Sequence, residues 1–388
     1  MPAVLVVDID RGGAFAAAYG TWALLPERLR SCLRGVVLNG MRGDVSLLEP
    51  AVRDLEARTG IPVLGVLPHL GEHLMLGVED SLDLRAAGRP SPEEGPGEGR
   101  PLRVGVVALP HLANPSDLDP LVLEPSVELR WASRPGDLLD VDLVLLPGTR
   151  STLADLAWLR ERGLADAVVR LAREEDGPHV LGICGGYQML GTQIEDDGIE
   201  AASPHPDRAS RMVAPDPDRA PRMVGSHPDR APEVVASATG VVPGLGLLPV
   251  STRFARPKVV RRVAGRVAGG SSVVSGYQIH LGRVAPHEGA APWLDLDGIG
   301  DEGCLTPDHR VRGTTVHGVL DEDGLRHALL GAVAAVRGRD VRPSPVPYAH
   351  ALDAHLEHLA DWVEAHLDLD AVLALAGEAG PVGQEPGW

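Results

Sequence analysis

The 388-residue chain is nearly devoid of lysine: Lys258 is the only one, and it sits in Arg-Pro-Lys-Val-Val. A Walker A loop needs a lysine directly after a glycine-rich turn to reach the terminal phosphates. No such loop exists within these residues. Cysteine is scarce as well, with Cys32, Cys184 and Cys304 widely spaced and no C-x-x-C pair. That pattern argues against a disulfide framework and a zinc ribbon, and no metal site is expected. It suits a reducing cytoplasm. No run of about 20 apolar residues occurs, and the first residues lack the basic and apolar segments of a signal peptide, so no membrane is expected. The formal net charge of -18 comes from 54 acids against 36 scattered basic residues. Duplex binding needs clustered cations to displace counterions, so nucleic acid is excluded as a partner. Aromatics make up only 3% of the chain. Packing falls to Ala, Val, Leu and Gly, which suits α/β layers.

The pattern of apolar runs divides the chain. Residues 1–84 read as strands at Ala3–Val7, Gly35–Leu38 and Ile61–Leu67, alternating with helices at Phe15–Leu25 and Val45–Thr59. That alternation implies a parallel sheet. Residues 85–101 are rich in Gly, Pro and charge and read as a linker. A second α/β domain, 102–378, has strands at Arg103–Ala108, Val127–Trp131, Val141–Leu146, His179–Ile183, Ser272–Leu281 and Arg312–Leu320, and a helix at Leu153–Arg162 stopped by Gly163. Within it, Pro-Asp-Arg-Ala recurs from Pro206, Pro217 and Pro228. Copies so short and charged cannot stack into a solenoid, so 203–235 reads as a disordered insertion. The stripe Leu352, Leu356, Leu359, Val363 and Leu367 has helical spacing and reads as packing. Residues 379–388 form a tail.

Chemistry concentrates in Val180-Leu-Gly-Ile-Cys184-Gly-Gly-Tyr-Gln188. A buried strand ends in a cysteine flanked by glycines, and a helix follows. A turn this sharp strains the nucleophile's backbone, and the glycines relieve crowding. The helix N-terminus offers open N–H groups and partial positive charge, which favour thiolate. The Gly185 N–H suits an oxyanion hole. A buried structural cysteine is the plainer alternative, and the flanking glycines weigh against it. Fifteen histidines compete for the role of base. His317, at the end of an apolar strand before Gly318, is the best placed.

These segments resemble the class I glutamine amidotransferases, whose core reads G-I-C-x-G-x-Q. The resemblance implies that Cys184 is the nucleophile and that Gln188 helps hold glutamine. It also implies that the Pro147-Gly148-Thr149 turn supplies a second oxyanion N–H, and that His317 lies in the family's G-T-Y-x-H-G segment. The family's usual acid, two residues after the histidine, is replaced by Val319. The base therefore needs another carboxylate or a carbonyl to fix its tautomer, or acts in a Cys–His dyad. His280, in Gly-Tyr-Gln278-Ile-His280-Leu-Gly, becomes a site-wall residue, with Gln278 where the family has Glu.

Four ordered segments, Asp8–Phe15, Asn39–Asp44, Leu109–Leu121 and the cysteine turn, resemble the cobyric acid synthase family. That resemblance implies glutamine-dependent amidation of corrinoid carboxylates, with ATP and Mg²⁺ serving the full-length family. The fold it implies is the remnant of a dethiobiotin-synthetase-like sheet followed by a flavodoxin-like glutaminase domain. Asp8, Asp10, Arg11 and Asn39 would then lie near the nucleotide. The family's P-loop precedes these motifs, so the reading expects either a longer natural chain or a truncated one, with a partner as another source of the ATP site. Cobyrinic acid a,c-diamide synthase, a lipid II glutaminase and a non-catalytic relative remain the alternatives.

Overall fold

The computed structural model describes residues 1–10, 12–70, 100–200, 240–339 and 341–377. The repeat insertion, most of the 85–101 linker, the 379–388 tail and Arg11 lie outside the described residues. The chain divides into two compact units, 1–74 with 350–388, and 75–349. Among the described residues no helix is long and apolar enough to cross a membrane.

In the first unit, strands β1 (Ala3–Asp8), β2 (Leu33–Met41) and β3 (Val63–Pro68) form a parallel sheet in that order. The crossovers carry helices α1 (Ala14–Leu24) and α2 (Glu49–Thr59). The helix expected from Val45 begins instead as a 3-10 turn, Val45–Leu48, because Asp44 caps it through the Ser46 N–H at 2.9 Å. Glu49 and Pro50 then open the α-helix. Two helices, Tyr348–His366 and Leu369–Gly377, follow much later in the chain. Trp362, Leu367, Ala371, Val372 and Leu375 pack on Val37, Leu64 and Leu67. Of the leucine stripe, Leu367 belongs to this cluster while Leu356 is exposed, so the reading of the stripe as packing holds at its C-terminal end. Its place differs, since residues 350–377 cluster with the first unit rather than ending the second domain at 378. Helical spacing names the buried face but not the surface that covers it.

The second unit is built on β4 (Leu102–Val107), β5 (Val127–Ala132), β6 (Leu143–Leu146), β7 (His179–Ile183) and, later, β15 (Val311–Thr314). They pair in parallel in the order β5-β4-β6-β7-β15. This is the flavodoxin-like arrangement, with the chain reversing direction of growth beside β4. All residues of β6 and β7 are buried. Both faces of a parallel sheet are covered by crossovers, so central strands read as unbroken apolar runs. Helices α3 (Thr152–Glu161), α4 (Leu164–Arg173) and the short α5 (Gly185–Leu190) pack on one core. The helix α6 (Asp323–Val336) packs on the other.

A second, largely antiparallel sheet was not legible beforehand in full. It contains β8 (Gln193–Asp196), β9 (Gly240–Pro243), β10 (Val250–Val267), β11 (Val273–Pro286), β12 (Leu294–Leu296), β13 (Gly300–Glu302) and β16 (Val316–His317). The two-residue strand β14 (Cys304–Leu305) edges the first sheet. The strand expected over Arg312–Leu320 is therefore two strands in two sheets. Glu302 makes the break: it accepts from the Thr315 N–H at 2.8 Å and the Thr315 hydroxyl at 2.7 Å, and also takes the Thr314 hydroxyl. The chain leaves β7 at Thr314 and pairs with β11 from Val316.

Candidate active site

Cys184 stands between β7 and α5 with φ 49° and ψ −107°, a backbone conformation that non-glycine residues rarely adopt. Its N–H donates to the Thr314 carbonyl at 2.8 Å, and its carbonyl accepts from Gln188 N–H at 3.0 Å. The turn is tight enough to demand glycine. A Cβ on Gly186 would lie 2.0 Å from the Leu146 carbonyl oxygen, and one on Gly185 2.5 Å from Thr149 Cγ2. The motif's glycines are thus required by contact, as the sequence implied.

His317 reaches the same point from the other sheet. Its imidazole comes close enough to the Cys184 thiol for the two to interact. A Cβ on Gly148 would meet His317 Cε1 at 2.9 Å and Cys184 Cβ at 3.8 Å, so the three residues surround one small space. The acid that Val319 cannot supply comes from 200 positions earlier. Asp117, in the 3-10 turn Pro115–Leu118, bonds His317 Nδ1 through Oδ2 at 2.7 Å and accepts the Gly318 N–H through Oδ1 at 2.7 Å. Both side chains are buried. Val319 packs in the core instead. Tyr277 stacks on His317 at 5.3 Å between centroids, and its hydroxyl is held by Asn114 Nδ2 at 2.6 Å.

Burial alone would push the imidazole toward its neutral form. The charge and hydrogen bond of Asp117, with the interaction of Cys184, outweigh burial and raise His317 from 6.5 to about 10. An imidazolium beside a thiol favours the thiolate, the nucleophilic form. Asp321, buried and repelled by Asp117, is pushed up to about 7.

The other expected residues are found on these elements as follows. Gly148 and Thr149 follow β6, and Thr149 N lies 3.2 Å from a Cβ built on Gly185. The Thr149 N–H donates to no backbone carbonyl among the described residues, and Gly185 opens a helix, so both N–H groups are open. Gln188 is buried, with Oε1 accepting from the Thr152 hydroxyl at 3.3 Å. His280 stands in a neighbouring cavity of about 410 Å³ with Arg261, Gln278, Glu302 and Thr315. Its Nδ1 donates to the Gly282 carbonyl at 2.7 Å, and burial lowers it to about 4, so it is a neutral acceptor. In the first unit, Asp8 pairs in register with Asn39, and Arg42 reaches Asp10 at 3.0 Å. These three expected residues gather at the carboxyl ends of β1 and β2.

Asp117 had been quoted in the sequence as part of the Leu109–Leu121 segment, without a role. The signal for it was negative: a histidine base whose usual acid position holds valine.

The family model for the CobB/CobQ-like glutamine amidotransferase domain matches residues 103–211 and 223–325. The cobyric acid synthase of Sorangium cellulosum (strain So ce56) is 42% identical, over 96% of this chain and 69% of its own length. That of Nocardia farcinica (strain IFM 10152) is 42% identical, over 99% of this chain and 68% of its own. This chain therefore spans about two thirds of the length of these curated relatives. Among solved structures, PurLQS from Thermotoga maritima aligns with 61% of this chain and 98% of its own, at 16% identity and a TM-score of 0.40. The chain is an enzyme that belongs to the cobyric acid synthase family and carries a CobB/CobQ-like glutamine amidotransferase domain.

Proposed function

We propose that this chain performs the glutaminase half of a glutamine-dependent amidation of corrinoid side-chain carboxylates, with Cys184 as nucleophile. The observation that carries the reading is the strained Cys184 turn facing a His317 that is itself held by Asp117. Cys184 thiolate attacks the side-chain carbonyl of glutamine. The Gly185 and Thr149 N–H groups receive the oxyanion. The His317 imidazolium gives its proton to the departing ammonia, and the thioester remains on sulfur. His317 then takes a proton from water, which clears the thioester to glutamate. Asp117 holds the imidazole in the tautomer that makes both transfers possible. Gln188 and His280 border the space where glutamine sits.

The amidation half takes ATP, Mg²⁺ and the corrinoid. Asp8 and Asp10 carry the hard oxygen ligands that Mg²⁺ prefers, and with Asn39 they are the nucleotide-proximal residues of this reading. Lys258 lies within β10, not after a glycine-rich turn. The phosphate-cradling loop of the ATP step is therefore assigned to none of these residues. A glutaminase rather than a binding-only role is supported by the intact Cys184 surroundings. The test is glutamate release from glutamine by the native chain and by Cys184→Ala. The native chain should hydrolyse glutamine and the variant should not. Equal rates in the two, or none in either, would refute the assignment.

A further inference from the structure

The turn that offers the Thr149 N–H is buried at Pro147 and Gly148 and half-buried at Thr149, and it is held by a network of its own. Asp155, on the first turn of α3, is fully buried, a position that carboxylates avoid unless their oxygens are satisfied. Its Oδ2 accepts the Thr149 hydroxyl at 2.6 Å and the His111 N–H at 3.3 Å, and its Oδ1 meets His111 Nδ1 at 2.7 Å. The same Thr149 oxygen accepts the Ser151 N–H at 3.0 Å. Two backbone bonds close the other side, Ala113 N–H to the Gly148 carbonyl and Arg150 N–H to the His111 carbonyl, each at 2.9 Å. Thr149 is thus anchored by its side chain and by both neighbours, and none of these anchors uses its own N–H. That donor is left facing Gly185.

We propose that Asp155 is a positioning residue for the oxyanion hole, tying Thr149 to His111 so that the Thr149 N–H points at the oxygen that gains negative charge as the thiolate attacks. The inference rests on the reading of Cys184 as a glutamine-hydrolysing nucleophile. The carboxylate is the fitting group. It meets three donors, the Thr149 hydroxyl and the main-chain and ring N–H groups of His111, and only an acceptor at both oxygens satisfies all of them. An amide presents NH₂ to one of them. A donor off by a fraction of an ångström loses the differential stabilisation that a preorganised hole provides. The electrostatic role is indirect, because the Asp155 charge is itself met by the imidazole ring.

The experiment compares Asp155→Ala, Asp155→Asn and Thr149→Val in the full chain, measuring glutamine hydrolysis and, separately, alkylation of Cys184 by iodoacetamide. Alkylation is a direct displacement at the thiolate and builds no oxyanion. Loss of one oxyanion donor lowers kcat by about 10²–10³-fold. Asp155→Ala should fall in or near that range with KM for glutamine little changed. Asp155→Asn, which keeps part of the network, should lie between it and the native chain. Alkylation should stay near the native rate in all three. Asp155→Ala combined with Thr149→Val should be little worse than either alone, since both cut one network. Should Asp155→Ala not fold, the Asn and Val variants carry the same comparison. The inference is overturned if these variants keep native kcat, or if alkylation falls in step with hydrolysis. A native chain that is alkylated at Cys184 yet releases no glutamate sinks the glutaminase reading itself and this inference with it.

Discussion

Replacing Asp117 by Asn tests the chemistry at its least visible point. The side chain keeps its shape, and Oδ1 can still accept the Gly318 N–H, so the 3-10 turn is preserved. At the other position an NH₂ now faces His317 Nδ1. The ring must present a lone pair there and carry its proton on Nε2, the wrong tautomer for receiving a proton from the thiol. The raised imidazole also loses its counter-charge. His317 is raised from 6.5 to about 10, which corresponds to roughly 5 kcal/mol in favour of the imidazolium at 1.36 kcal/mol per unit. An opposite charge at hydrogen-bond distance accounts for about 1–3 units of such a shift. Asp117→Asn should therefore lower kcat by about 10²–10⁴-fold, the span of a positioned acid–base group. It should also move the alkaline limb of the rate profile to lower pH, because the proton destined for ammonia is lost earlier. Stability follows the same sign. A histidine raised in the folded state stabilises the protein fully below about 6.5, and that stabilisation fades as pH climbs through about 10. The variant's deficit in urea denaturation should thus be largest below about pH 6.5 and shrink steadily as pH rises to about 10. Glutamate release against pH, with Cys184 alkylation against pH in parallel, makes the measurement. Native kcat and an unmoved alkaline limb in Asp117→Asn would refute the triad.

Two further substitutions probe packing. Gly186→Ala puts a methyl 2.0 Å from the Leu146 carbonyl oxygen, which belongs to a buried strand and has nowhere to go. It should destabilise the chain by about 1–3 kcal/mol or more by overpacking, read as a lower urea midpoint, and an unchanged midpoint contradicts the turn geometry. Glu124, fully buried, accepts Arg326 Nε at 2.7 Å, His327 Nε2 at 2.9 Å and the Ser344 N–H at 2.9 Å. Glu124→Ala strands the buried Arg326 guanidinium and should cost about 3–5 kcal/mol, whereas a loss under 1 kcal/mol would show that Asp323 alone compensates that charge.

What could be read from the sequence was local, and what could not was long-range. The Cys184 turn was legible because its glycines are dictated by atoms within a few residues of it or by the adjacent strand. The unbroken apolar run of Leu143–Leu146 likewise announces a central parallel strand. The partner of His317 was not legible, because nothing in the spacing of Asp117 and His317, 200 residues apart, brings them together. Only the valine at 319 said that an acid was owed from elsewhere. Of the β10–β11 hairpin, β11 was read in part as Ser272–Leu281, while β10 escaped reading for a different reason. Its outward positions carry Arg253, Arg261, Arg262 and Arg266, so its alternation is broken by charge, and the partly solvated strand lacks the unbroken apolar runs of the parallel core. In the C-terminal helices the helical spacing was readable, while the surface that Leu367 and Trp362 cover, around Leu64 and Leu67, was not.

The division of the site between two sheets constrains how it can fail. Cys184 and the Thr149 turn belong to the parallel sheet, whereas His317 pairs with Tyr277 in the antiparallel one. The two are joined at Thr314 and Thr315, both gripped by Glu302 from the end of β13. Burial raises the Glu302 carboxyl, and the hydrogen bonds from Thr314 and Thr315 work against that rise. Those donors are what oppose the effect of burial on the carboxyl. A shift of β13 would therefore release the crossing, swing His317 away from Cys184 and leave the nucleophile's turn intact. In such a state alkylation of the thiol would slow for want of the imidazolium, while the parallel core kept its stability. On the proposed reading, hydrolysis of glutamine depends on the junction between the sheets as much as on the cysteine turn.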